Sequence, residues 1–253
     1  MGLSSSLVLF GSFAILLLLN IPVPFGLGLS SVITVLWRGG LDLMLIPQRI
    51  VPAIDSFALL AIPLFVLAGE VIGYGSGERL IRLADELVGH ITGGLAHANI
   101  LASLFFGGIS GSASADTAAI GSIMIPEMER AGYDRAFSTA VTITSSPLAT
   151  IIPPSIVMVL YSWMTGIPVS TVFLAGFIPG ALMGLGLMIV SYFISKKYEY
   201  GYKRKFNFRS FLKSFTQSLP ALLMPLIILG GIFGGIFTAT EAGAVAVIYG
   251  LII

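Results

Sequence analysis

Residues 107–155 constrain this chain more than any others. They are too polar and too broken for a lipid-facing span, yet they interrupt an otherwise apolar sequence. The first half runs from Gly107 through Ser110, Gly111, Ser112 and Ser114 to Asp116; the second runs from Thr144 through Ser145, Ser146 and Pro147 to Pro153, Pro154 and Ser155. Inside a bilayer the backbone must satisfy its hydrogen bonds internally. Helix-breaking sequence survives there only against protein or a water-filled cavity. Two such interruptions close together are the trace of a transporter's ion and substrate site.

The rest of the chain supplies the bilayer context. Its 253 residues are 56% hydrophobic and 10% charged. That excludes an ordinary soluble domain and predicts an all-α polytopic membrane protein. A net charge of +1 gives no case for nucleic-acid binding, and the absence of cysteine excludes disulfides and thiolate chemistry. The first twenty residues lack a basic n-region and a cleavage site, so they read as a retained span. The sequence stops within an apolar run, Ala242–Ile253, which predicts a fragment of a longer protein. Apolar runs at about 3–21, 24–37, 55–73, 134–164, 168–195 and 219–237 predict about six transmembrane helices.

Residues 93–130 behave differently. Two shorter apolar halves, Leu95–Phe106 and Ala118–Met128, meet at the Gly/Ser segment, which predicts a re-entrant helical hairpin. At 144–155, Pro147, Pro153 and Pro154 remove donors and push their neighbours out of helical geometry, predicting a broken helix. The organisation expected is scaffold-type helices over 1–75, an interfacial amphipathic helix over 76–92, and the hairpin with the broken helix over 93–165. A transmembrane helix and basic loop follow over 166–217, then a further helix and the start of a second repeat over 218–253. Seven basic residues, Lys196, Lys197, Lys203, Arg204, Lys205, Arg209 and Lys213, make the 196–213 loop cytoplasmic, and Arg130 and Arg135 return to the same side.

The hydroxyls and carbonyls of 107–116 suit a weakly hydrated monovalent cation, and the start of the hairpin's second arm offers amides to an anion. Asp116 is an intramembrane carboxylate, which is a functional candidate by default; capping the second arm is the alternative role. Gly108-Ile-Ser110-Gly111 also matches the Gly-x-Ser-Gly of intramembrane serine proteases. His90 and His97 both precede that serine and none follows it, so the chain does not read as an enzyme.

Five segments together resemble the large membrane subunit of tripartite ATP-independent periplasmic (TRAP) transporters, the DctM-like family of the ion-transporter superfamily. They are Gly108-Ile-Ser-Gly-Ser-Ala-Ser-Ala-Asp116; Ile125-Pro-Glu-Met128 with Ala131-Gly-Tyr133; Ile151-Ile-Pro-Pro-Ser-Ile156; Leu174-Ala-Gly-Phe-Ile-Pro-Gly180; and Gly234-Gly-Ile-Phe-Thr-Ala-Thr-Glu-Ala-Gly243. One departure is Ala149-Thr150, where a common family version has Gly-Pro. The resemblance implies the first half of an inverted-repeat, elevator-type secondary transporter in a bacterial or archaeal cytoplasmic membrane. It further implies sodium as coupling ion and no other cofactor, a small DctQ-like membrane subunit and a periplasmic substrate-binding protein as partners, and a small organic acid such as a C4-dicarboxylate as substrate. By position, Ser110, Gly111, Ser112, Ser114 and Asp116, with Thr144, Ser145, Ser146 and Pro153, become the candidate ion- and substrate-binding residues; Ser110, Ser112 and Ser145 are the candidate sodium ligands. A non-transporting scaffold subunit or a channel is the competing expectation.

Overall fold

Glycine, proline and small polar residues decide where each helix of this chain ends and which face it buries. The structure, a computed structural model, describes residues 3–201 and 206–253, and Lys203, Arg204 and Lys205 of the basic loop lie outside the described residues. Among the described residues there are helices and no strands, as expected of an all-α membrane protein. The chain divides into two compact units, Met1–Ser56 and Phe57–Ile253.

The first unit holds α1 (Leu3–Leu18), α2 (Val23–Arg38) and α3 (Leu45–Ile54). α1 and α2 form a helical hairpin, α2 starting with proline in its first turn. α2 buries Gly26, Ser30 and Thr34, one small-residue face at helical spacing, and Gly26 sits against the Phe13 ring. Leu7, Phe10, Leu18 and Phe25 point outward. Small residues inside and large apolar ones outside is the inversion that lipid, rather than water, permits.

The second unit begins with a 3₁₀ turn, Phe57–Leu60, and a long helix, α4 (Ala61–Val88). α5 (Gly94–Ser110) and α6 (Ala113–Arg130) form the expected hairpin; α7 (Arg135–Ser145), α8 (Leu148–Ile151) and α9 (Ile156–Thr165) form the expected broken helix. The latter bends by 43° between Ile151 and Ile156. α10 (Val169–Lys197) and α11 (Phe208–Phe233) are each long and apolar enough to cross a membrane, and α12 (Ala239–Ile252) opens with a capping box between Thr238 and Glu241.

The boundary expected at 75/76 falls inside α4. Residues 76–88 continue the helix, and the apolar stripe Leu80, Leu83 and Ala84 is buried in protein rather than laid on an interface. The glycines of α4 form a packing face. A Cβ on Gly69 would come 2.9 Å from Ser110 Cα, and one on Gly73 would meet the Phe106 ring at 3.4 Å, so α4 lies close along α5.

α5 is the centre of the unit, packed by α4, α6, α7, α8 and α10. Its burial extends around its whole circumference, from Ala96 through Ile100 to Ile109. Charged ends collect together. Tyr200, just beyond α10, stacks on Tyr133 and Phe137 at the α6–α7 turn, with centroids 5.1 and 5.4 Å away. Ser210 donates to Glu86 at 2.7 Å, and Ser218 donates to the Arg79 carbonyl at 2.9 Å. The ends of α4, α6 and α10 and the start of α11 therefore share one end of the unit.

Candidate functional site

The hairpin stops short of its neighbours. α5 has 17 residues, about 26 Å of helix, whereas α9 continues 10 residues beyond the break it meets. Its tip is Gly111-Ser112. Gly111 ends α5 in the left-handed region at φ +60°, its amide bonded to the Gly107 carbonyl at 2.9 Å. A Cβ there would lie 2.9 Å from the Pro154 carbonyl oxygen, 3.0 Å from Ser155 Cα and 3.1 Å from the Ile156 amide nitrogen. Only glycine satisfies both demands.

The contact continues along α5. A Cβ on Gly108 would reach the Pro153 carbonyl at 3.8 Å, and one on Gly107 would strike the Ala149 backbone. Ser103 and Ser145 hydroxyls are 3.0 Å apart. From the other side Gly176 and Gly180 of α10 press on Ile151 and Ile152. The break thus lies between the hairpin and α10, in protein, as broken backbone at membrane depth requires.

The candidate residues separate into two groups. At the tip, Ser110 is buried, and its hydroxyl accepts a long bond (3.4 Å) from the Ser112 amide. Ser112 caps α6, accepting from the Ala115 amide at 3.4 Å, and pairs with the exposed Ser114 hydroxyl at 3.1 Å. Across the contact from Gly108 and Gly111, the Pro153 and Pro154 carbonyls accept no hydrogen bond among the described residues, while Ser155 ties the break by donating to the Thr150 carbonyl at 2.7 Å. Tip and break thus place neutral hydroxyl and carbonyl oxygens on two adjoining segments.

About two turns deeper lies a second polar group, formed by α5, α6 and α7. Asn99 donates to Thr142 at 2.8 Å; Ser145 and Ser146 donate to the Thr142 carbonyl at 3.1 and 2.8 Å. Asp116 is fully buried here, near the hydroxyls of Ser146 and Ser103, and neither of its oxygens has a hydrogen-bond partner among the described residues. Ser146 donates to the Thr142 carbonyl, and the Ser103 hydroxyl pairs with that of Ser145. The expected helix cap is Ser112 instead of Asp116, because the cap must precede the first helical residue, Ala113.

Ser145 is therefore not brought to the tip with Ser110 and Ser112. Thr144 points outward and bonds back to the Ala140 carbonyl at 2.7 Å, so its hydroxyl does not join either group. Asn99, Ser103, Thr142 and the Pro154 carbonyl were missed in the sequence. A helical row was there to find: Asn99, Ser103, Gly107 and Ser110 share one face of α5, and Ser138, Thr142 and Ser145 share one face of α7.

A cavity of about 870 Å³ opens beside the tip between α4 and α6, lined by Gly69, Ser110, Ser112 and Ser122 and by the charged Glu70, Glu78 and Arg79. It brings an arginine to the cavity that holds the tip serines, although the polar stretches themselves contain none.

Residues 10–253 match the family described as "Tripartite ATP-independent periplasmic transporter, DctM component". The chain is 48% identical over 97% of its length to YgiK of Salmonella typhimurium, covering 57% of that protein. It is 43% identical over 97% of its length to the isethionate TRAP transporter permease protein DctMQ of Oleidesulfovibrio alaskensis, covering 39%. It is 41% identical over 93% of its length to the sialic acid TRAP transporter large permease protein SiaM of Vibrio cholerae, covering 56%. The chain spans about half the length of the curated relatives it matches. A hairpin tip set against a broken helix, and a family match across nearly the whole chain, lead to one conclusion: this chain belongs to the DctM family of TRAP transporters, a family of transporters and not of enzymes.

Proposed function

We propose that the protein is the large membrane subunit of a TRAP transporter, importing a small organic acid by sodium symport. It works in a bacterial or archaeal cytoplasmic membrane, with a small membrane subunit beside it and a periplasmic binding protein delivering substrate. One observation carries the reading: Gly111 seats the hairpin tip on the Pro153–Ser155 break, bringing the segment that holds Ser110 and Ser112 beside proline carbonyls that accept no hydrogen bond among the described residues. Such a set of neutral oxygens matches the needs of a monovalent cation. Because it joins two segments distant in sequence, occupancy depends on how the hairpin and break are held. Ser110 and Ser112 are the sodium ligands in this reading, with the Pro153 and Pro154 carbonyls replacing Ser145. Asp116, Ser145 and Ser146 form the polar core beneath that keeps the hairpin in register.

The substrate class rests on relatives named for isethionate and for sialic acid, both organic acids. The cavity beside the tip has room for a molecule of that size and presents Arg79. The test is uptake into proteoliposomes containing the full-length protein and both partners. Uptake should need an inward sodium gradient and the binding protein. Flux that ignores the binding protein would indicate a channel; no flux under any gradient, with correct assembly, would indicate a scaffold.

A further inference from the structure

The first unit carries a cleft that the transport reading does not use. It lies between α1, α2 and α3, has a volume of about 550 Å³, and is walled by Leu27, Val35, Leu45 and Ile46, with Arg38 and Arg49 also on its lining. The lining follows α2 from Pro24 to Arg38, about 21 Å at the rise of an α-helix. One leaflet occupies roughly 15 Å, half of the hydrocarbon core.

Arg38 closes α2 and Arg49 lies one turn into α3, and no acidic residue lines the cleft. Between Leu27 and Arg38 the Ser31 and Thr34 hydroxyls are spent on carbonyls of their own helix, at 2.8 and 2.7 Å. Asp42, the nearest carboxylate in sequence, accepts from the Met44 amide at 3.0 Å. Neither arginine has an ion pair among the described residues. Trp37, 55% exposed, adjoins Arg38, and tryptophan favours the level of the lipid headgroups.

We propose that this cleft holds an anionic phospholipid, its phosphate clamped by Arg38 and Arg49 and one acyl chain laid along α2. Guanidinium forks match phosphate oxygens in planar, charge-assisted bonds, and basic pockets between membrane helices select anionic headgroups. The cleft's length along α2 and its apolar walls suit an acyl chain, and two arginines with no carboxylate in the lining suit the headgroup.

Native mass spectrometry of the full-length protein, titrated with phosphatidylglycerol or phosphatidylcholine of identical chains, tests the assignment. The expected result is at least tenfold higher occupancy by phosphatidylglycerol. Arg38→Gln with Arg49→Gln should bring it down to the phosphatidylcholine level, and Arg38→Lys with Arg49→Lys should leave an intermediate preference. Ile46→Trp, which fills the cleft without touching charge, should lower both lipids, and it decides the matter should the arginine variants misfold by circular dichroism. Arg209→Gln with Lys213→Gln, removing two exposed cations elsewhere, should keep the preference. Equal occupancy by both lipids, a preference that survives loss of Arg38 and Arg49, or the same loss in the Arg209/Lys213 variant would overturn the proposal.

Discussion

Gly111→Ala is the substitution that most sharply separates the seating of the hairpin tip from ordinary helix packing. Two costs arise there. Forcing an alanine to φ +60° costs about 1–2 kcal/mol. Its methyl would also meet backbone atoms at 2.9–3.1 Å on the far side of the contact. Backbone cannot swing aside as a side-chain end can, so a further ~1–3 kcal/mol of overpacking follows. Gly166 isolates the first cost: its φ is +72° and a Cβ there meets nothing within 4 Å. Gly166→Ala should therefore lose about 1–2 kcal/mol and Gly111→Ala about 2–5 kcal/mol. The assay is loss of helical circular dichroism on heating in one detergent. At this chain length each kcal/mol moves the midpoint by about 2–4 °C, so Gly111→Ala should fall at least that much below Gly166→Ala. Equal midpoints for the two variants would mean that the tip does not rest on the break.

Three other outcomes follow from the geometry. Ser103→Ala and Ser145→Ala remove the two ends of one buried hydrogen bond; each should cost about 1 kcal/mol, with a coupling of at least ~0.5 kcal/mol in the double-mutant cycle, and strict additivity would show that the pair is not bonded. Burial pushes the Tyr133 phenol up to about 12, so the folded state favours the neutral form; stability present below pH 10 should fall as pH rises through about 12, and Tyr133→Phe should flatten that slope, whereas an unchanged slope would assign it elsewhere. The chain has no cysteine, so single cysteines replacing Arg130 and Lys197 should label from one face of the membrane and one replacing Gly166 from the other; Arg130 and Lys197 labelling from opposite faces would contradict the hairpin.

Much of this was legible in sequence because membrane burial writes itself in composition. The break was visible since Pro153 and Pro154 lack the amide a helix needs, and the tip was visible since Gly111-Ser112 cannot continue one. What stayed hidden was depth. Ser112 and Ser145 look equivalent as small hydroxyl residues, but α5 pairs Ser103 with Ser145 and sends Gly111 to Pro154, a register set by side-chain volume at Gly107 and Ala149 rather than by polarity. The glycines of α4 were not read at all: glycine marks a turn and a close helix contact alike, and only the neighbouring Ser110 and Phe106 distinguish them.

The central claim is that the tip and the break together hold the coupling ion. The most direct measurement is the sodium dependence of uptake by the reconstituted full-length protein carrying Ser110→Ala or Ser112→Ala, beside Ser145→Ala and Ser191→Ala. Losing one hydroxyl ligand from a buried set of neutral oxygens costs about 1–3 kcal/mol. The two tip variants should therefore raise the sodium needed for half-maximal uptake by about ten- to hundredfold. Ser145→Ala should act on stability instead, and Ser191→Ala, buried in α10 away from the tip, should change little. Tip variants whose sodium dependence matches that of Ser191→Ala would contradict the account.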